Sequence, residues 1–134
     1  MKRVLFLCTH NSARSQMAEG LLRELGRGTF EVASAGTVAT RVRPEAIAAM
    51  NELEIDISGQ SSKTLEQYLG SEWDEVITVC DSANESCPVF PGAKLRRHWS
   101  IDDPSGVTGS DEARLAAFRR ARDELRQRIE QELL

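Results

Sequence analysis

The sequence predicts an α/β fold: a four-stranded parallel open sheet with helices on both faces. Three observations carry that reading. Apolar runs of strand length alternate with stretches of helical period, which requires right-handed crossovers. Residues 4–7 and 75–79 are nearly continuous in their apolar or β-branched character, as strands covered on both sides are. The 134 residues, 40% of them hydrophobic, suit one compact domain spanning 1–134 and leave no room for a second.

The first strand, residues 4–7, opens into a polar loop and then a helix over 16–25. Met17, Leu21, Leu22 and Leu25 share one face of that helix, and Gly26 ends it. Residues 30–34 alternate like a second strand, and Ala35 and Gly36 turn the chain. A helix over 44–50 begins with Pro44, whose fixed φ suits a first helical position. A short helix follows at 65–69, then the third strand at 75–79 and a fourth at 94–99. The last helix starts at Ser110, a residue that caps well, with Asp111 and Glu112 in its first turn. It carries Leu115, Phe118, Ala121, Leu125 and Ile129 at steps of three and four.

A net charge of −4 gives no basis for a nucleic-acid or membrane-surface partner, so an anionic ligand has to be attracted locally. The apolar run before Cys8 is too short for a secretory signal, and no stretch could span a bilayer, so a cytoplasmic location is expected. Thiols stay reduced there. Three cysteines, an odd number, are then chemical, metal-binding or buried rather than structural disulfides.

Between the first strand and the first helix lie Cys8, Thr9, His10, Asn11, Ser12, Ala13, Arg14 and Ser15. A loop of this length can wrap one tetrahedral oxyanion with successive N–H groups, backed by the positive end of the following helix. Arg14 would close the ring with a two-pronged guanidinium, and Cys8 would titrate below the usual thiol range of about 8.5 and act as a nucleophile. Ser15 could donate to the Cys8 sulfur, and Asn11 tolerates the left-handed backbone such a loop needs. The bland alternative is a buried cysteine beside an ordinary strand-to-helix turn. A nucleotide-binding loop is disfavoured, because no Gly-x-x-x-x-Gly-Lys is present.

Thiolate attack on an oxyanion expels an oxygen, and Asp103, just after the fourth strand, is the candidate acid to protonate it. Asp102 reads as a turn or capping residue, and Asp103-Pro104 could itself be no more than a turn opener. Cys80 ends the third strand and so can share one mouth with Cys8, since open sheets bind ligands beyond the carboxyl ends of their strands. Attack of Cys80 on a Cys8 adduct would leave a disulfide that Cys87 could carry outward by exchange. Cys80 could instead be core and Cys87 a bystander. Zinc shared with His98 lacks both the short ligand spacing and an evident fourth ligand, so no metal is expected.

The run from Cys8 to Gly20, the Cys80 and Cys87-Pro88 pair, and His98-Trp99 leading to Asp102-Asp103-Pro104 together resemble the thioredoxin-coupled arsenate reductases, which share the fold of low-molecular-weight protein tyrosine phosphatases. The resemblance implies arsenate as substrate, Cys8 as nucleophile, Arg14 on the anion, Asp103 as acid, Cys80 then Cys87 as resolving thiols, and thioredoxin as external reductant without a bound cofactor. Many relatives have a further cysteine where Ala13 stands. The family often binds potassium near Asn11, Glu19 and Ser34, with a carboxylate where Lys63 stands here, so the ammonium is expected to replace the ion.

Two other functions remain open. A low-molecular-weight phosphatase would use Cys8, Arg14 and Asp103 alone, but Ser105 and Gly106 after Asp103-Pro104 offer no aromatic wall for phosphotyrosine, and Tyr68 is the only tyrosine. A non-catalytic oxyanion or redox-sensing module would bind without turnover. A monomer is expected.

Overall fold

The computed structural model describes residues 1–79 and 92–134. Four strands, β1 (Lys2–Cys8), β2 (Phe30–Gly36), β3 (Trp73–Thr78) and β4 (Ala93–His98), form one parallel sheet in the order β2-β1-β3-β4. Helices α1 (Arg14–Leu25), α2 (Pro44–Asn51) and α3 (Asp111–Glu132) join them, with 3₁₀ turns at Leu65–Tyr68 and Pro104–Gly106. The predicted parallel sheet, its four strands and its helices are all present.

β1 is central, which explains its unbroken apolar run. Val4, Phe6 and Cys8 pack under the helices, while Leu5 and Leu7 pack into a second cluster with Ala35, Leu65, Trp73 and Val76. The cover is unequal. All three helices contribute to the first cluster, whereas among the described residues the other face is closed by the 3₁₀ turn carrying Leu65, with Tyr68 edge-on against Trp73. Edge strand β4 carries Lys94, Arg96 and Arg97, the charged pattern that discourages further strand pairing.

Both ends of the long helices behave as read. The Ser110 hydroxyl accepts from the N–H of Ala113 at 3.1 Å, and the Gly26 N–H donates to Leu22 O at 2.8 Å. α3 buries Phe118, Ala121, Leu125 and Ile129, and also Arg122, whose guanidinium donates to Ala49 O at 2.7 Å and to Glu52 at 2.8 Å, fastening α3 to α2.

The order β2-β1-β3 places a reversal between β1 and β3: the chain leaves β1 toward one edge of the sheet and β3 toward the other. Diverging connections open a crevice at the carboxyl ends of these two strands. Cys8 is the last residue of β1.

Candidate active site

The loop after β1 bonds its carbonyls outward, one after another. Thr9 O accepts from Val38 N (3.0 Å) and Thr37 Oγ1 (3.1 Å); His10 O accepts from Ser62 Oγ (2.9 Å) and Thr40 Oγ1 (3.2 Å). Asn11 O accepts from Gln16 Nε2 (3.0 Å), Ser12 O from Arg43 N (2.8 Å) and Ala13 O from Met17 N (2.9 Å). In a trans peptide the N–H points opposite to the preceding carbonyl, and no peptide bond here is cis. Five outward carbonyls therefore turn the N–H groups from His10 to Arg14 inward. No hydrogen bond between described residues uses the N–H of His10, Asn11, Ser12 or Ala13. α1 then begins with neither a side-chain cap nor an acidic residue in its first turn. Inward donors and an uncapped helix start together make an anion cradle.

Asn11 sets the loop's shape. It has φ of 49° and is fully buried, as its tolerance of the left-handed region predicts. Its Nδ2 donates to Ser15 Oγ (2.8 Å) and Ser34 Oγ (3.0 Å), and its Oδ1 accepts from Gln16 Nε2 (2.9 Å) and Lys63 N (2.8 Å). Two donors and two acceptors are thus all in use, the full capacity of the amide. Ser15 accepts from Asn11, so its own proton remains available to donate, as the expected bond to the Cys8 sulfur requires. Gly36 lets β2 approach: a Cβ there would lie 2.7 Å from Thr9 O and 2.8 Å from Cys8 O.

The residues associated with potassium do not fit the ion here. Glu19 already meets Arg23 Nη2 at 2.6 Å, Ser34 Oγ at 2.5 Å and Lys63 Nζ at 4.0 Å, and both acceptor positions of Asn11 Oδ1 are occupied. Lys63 Nζ also donates to Ser61 O at 2.7 Å. Burial pulls the Lys63 ammonium below its usual range, with Arg23 adding to the effect and Glu19 opposing it.

Arg14 and Asp103 meet across the crevice, with Nη2 and Oδ2 3.7 Å apart. Arg14 is nine-tenths buried; its Nη1 donates to Ile101 O at 2.8 Å, and its Nε is buried without a partner among the described residues. Burial pushes the Asp103 carboxyl up, but the Ser105 hydroxyl and the charges of Arg14 and Arg43 outweigh it, holding the group below the usual carboxylate range. The capping role expected of Asp102 falls to Asp103, which accepts from Ser105 N (3.0 Å) and Ser105 Oγ (2.6 Å) at the start of the 3₁₀ turn. Asp102 instead lines a cleft beside α3 with Arg120 and Glu124.

Cys8 is 4% exposed and ends β1 where the loop begins. Cys80 and Cys87 lie outside the described residues. Val79, the last described residue before them, donates its N–H to Leu7 O at 2.9 Å, one residue from Cys8. Among the described residues no group of three or more His, Cys, Asp or Glu could hold a metal. The His98 ring lies 2.7 Å from Thr78 Oγ1.

Sequence reasoning missed the braces of the loop. Gln16 reaches Ser61 O at 2.9 Å and is gripped in turn by Gln60 Nε2, 2.7 Å from Gln16 Oε1. Gln16, Gln60 and Ser62 carried no signal beyond being polar. Arg41 and Arg43, beside the loop, were also passed over, although two arginines in three positions of an acidic chain are a visible cue.

Residues 3–133 match the family described as low molecular weight phosphotyrosine protein phosphatase. The arsenate reductase of Halalkalibacterium halodurans is 48% identical over 128 residues, 96% of this chain and 92% of that protein. The arsenate reductase of Bacillus subtilis is 41% identical over 130 residues, 97% of this chain and 94% of that protein. Among solved structures, an arsenate reductase in the phosphate binding state aligns with a TM-score of 0.85 at 39% identity, covering 98% of this chain and 95% of that one. An arsenate reductase in oxidized state aligns with a TM-score of 0.83 at 38% identity and the same coverage.

Proposed function

The chain belongs to the low molecular weight phosphotyrosine protein phosphatase family, and from that premise we propose that it reduces arsenate to arsenite, with Cys8 as nucleophile and a relay through Cys80 and Cys87 to thioredoxin. The observation that carries the reading is the run of five outward-bonded carbonyls around Cys8, which suits a tetrahedral oxyanion. Relatives named arsenate reductase over nearly their whole length favour arsenate as that oxyanion.

Arsenate settles among the inward N–H groups from His10 to Arg14, with the Arg14 guanidinium turning from Ile101 O and Asp103 to the ligand. The bound charge and the departure of Arg14 both raise the Asp103 pKa, so this carboxyl takes up a proton as the substrate enters. The Cys8 thiolate attacks arsenic and one oxygen leaves as water, protonated by Asp103. Cys80 then attacks the Cys8 sulfur. The sulfur–arsenic bond breaks with its electron pair on arsenic, releasing arsenite and leaving a Cys8–Cys80 disulfide. Cys87 attacks Cys80, returns Cys8 as thiolate, and leaves a Cys80–Cys87 disulfide for an external dithiol. The balance is arsenate and two thiols to arsenite, one disulfide and water. Lys63 stands in for a potassium ion beside Glu19.

An assay with thioredoxin, its reductase and NADPH tests the activity. Cys87→Ser is expected to complete one turnover and stall with Cys8 and Cys80 joined, seen by mass spectrometry of tryptic peptides after stoichiometric arsenate. Normal cycling of that variant with thioredoxin would discard the relay. Weak phosphatase activity is expected alongside, because phosphate has arsenate's shape. Tyr68 is packed 5.5 Å from Trp73 in the second core cluster and offers no aromatic wall for phosphotyrosine.

A further inference from the structure

Most arginines of this acidic chain face a carboxylate. Arg3 pairs with Glu31, Arg23 with Glu19, Arg27 with Glu24, Arg128 with Glu132, and both Arg119 and Arg122 with Glu52. Arg41 and Arg43 are exposed, and neither pairs with an acidic side chain among the described residues. With His10, Ser12, Thr40 and Pro44 they line a cleft of about 330 Å³ that shares His10 and Ser12 with the anion loop.

The backbone bearing these two guanidinium groups is fastened to the loop's outer side. Arg43 N donates to Ser12 O (2.8 Å), Val38 N to Thr9 O (3.0 Å), and Thr40 Oγ1 to His10 O (3.2 Å). Thr40 N donates to Ser62 Oγ at 2.8 Å, and Ser62 itself bonds His10 O. The charge of Arg43 is felt at Asp103, so this group acts on the mouth of the crevice. A protein of net charge −4 repels a dianion at long range, and a local cluster of unneutralised cations is what reverses that field at one spot.

We propose that Arg41 and Arg43 form a landing site for a tetrahedral dianion at the rim of the catalytic loop, from which arsenate passes inward to Cys8. The proposal rests on the loop being an oxyanion site. Neither side chain forms or breaks a bond at Cys8, so they act chiefly on capture, and Arg43 reaches the later steps only through its charge at Asp103.

The test is the Arg41→Gln/Arg43→Gln double variant, assayed with arsenate across ionic strength and titrated with inorganic phosphate by calorimetry. At about 20 mM salt, kcat/KM is expected to fall roughly fivefold to twentyfold through KM, with kcat within twofold. The gap should close near 0.5 M, where screening shortens to a few ångströms. Phosphate affinity should weaken in parallel, and Arg41→Lys/Arg43→Lys should restore both, which a merely structural role would not allow. Phosphate titration needs no turnover, so an Arg-dependent, salt-sensitive affinity in a protein that fails to reduce arsenate would leave the landing site standing while removing the reductase reading. Unchanged phosphate affinity and arsenate KM at low salt would overturn the proposal. So would a loss undiminished at high salt, or a rise in the KM for thioredoxin in place of that for arsenate.

Discussion

The loop from Cys8 to Ser15 and the turn from Asp102 to Val107 face each other across one crevice, but they are held by different means. Apart from Thr9 and the exposed His10 the loop is buried, with its carbonyls bonded to two distant segments and the Asn11 amide using every donor and acceptor it has. The Asp103 side chain is half exposed, and among the described residues its hydrogen bonds run only to Ser105, two residues on. A receiving cradle gains from having its donors fixed before the ligand arrives, because no reorganisation is then needed. An acid that must gain a proton and give it away gains from weak, local restraint. The contrast fits the proposed mechanism, with binding on the braced side and proton transfer on the loosely held one.

Cys8→Ser should have the largest effect, reducing arsenate turnover by about 10⁴-fold or more while phosphate still binds, because the cradle is made of backbone and not of sulfur. Retention of substantial turnover would remove Cys8 from the chemistry. Asn11→Ala attacks the braced side. It strands the partners of four buried hydrogen bonds and forces alanine to a positive φ, so denaturant unfolding should show a loss of about 3–5 kcal/mol and phosphate affinity should fall with it. Asp103→Asn attacks the other side: kcat should fall about 10²-fold, with phosphate binding kept or tightened and stability within about 0.5 kcal/mol. If this variant unfolded as easily as Asn11→Ala, the proposed division of labour would be wrong.

Smaller effects sharpen the same contrast. The Glu52 carboxyl is lowered to about 2 by its hydrogen bonds with Arg119 and Arg122. Its stabilising effect is therefore complete above the ordinary value of 4.5 and disappears as pH falls toward about 2. Glu52→Gln should flatten the dependence of Tm on pH across that window, most visibly at low salt. Replacing sodium by potassium at constant ionic strength should change kcat/KM by less than about twofold, given the ammonium of Lys63 beside Glu19. Clear activation by potassium would refute that substitution.

The strands, the helices, the Ser110 cap and the left-handed Asn11 were legible in the sequence because each follows from local chemistry: an apolar run, a period, a short polar side chain. The polar face of α1 was not. The apolar period of Met17, Leu21, Leu22 and Leu25 says nothing of Gln16 and Glu19 on the opposite face, yet both are buried because residues 60–63 and Ser34 cover them. Coverage by a segment some forty residues away leaves no mark in local periodicity. The misplaced cap has a similar cause, since Asp102 and Asp103 are equal candidates until Ser105 is positioned in space.

The carbonyls of Thr9 and His10 are anchored by residues 37–40 and by Ser62, the second of these more than fifty positions downstream. A short peptide copied from Cys8 to Ser15 would collapse onto its own dipoles and bind nothing. The smallest piece that carries every brace of these carbonyls runs from the first strand to Lys63, so any engineering of this loop has to carry nearly half the chain with it.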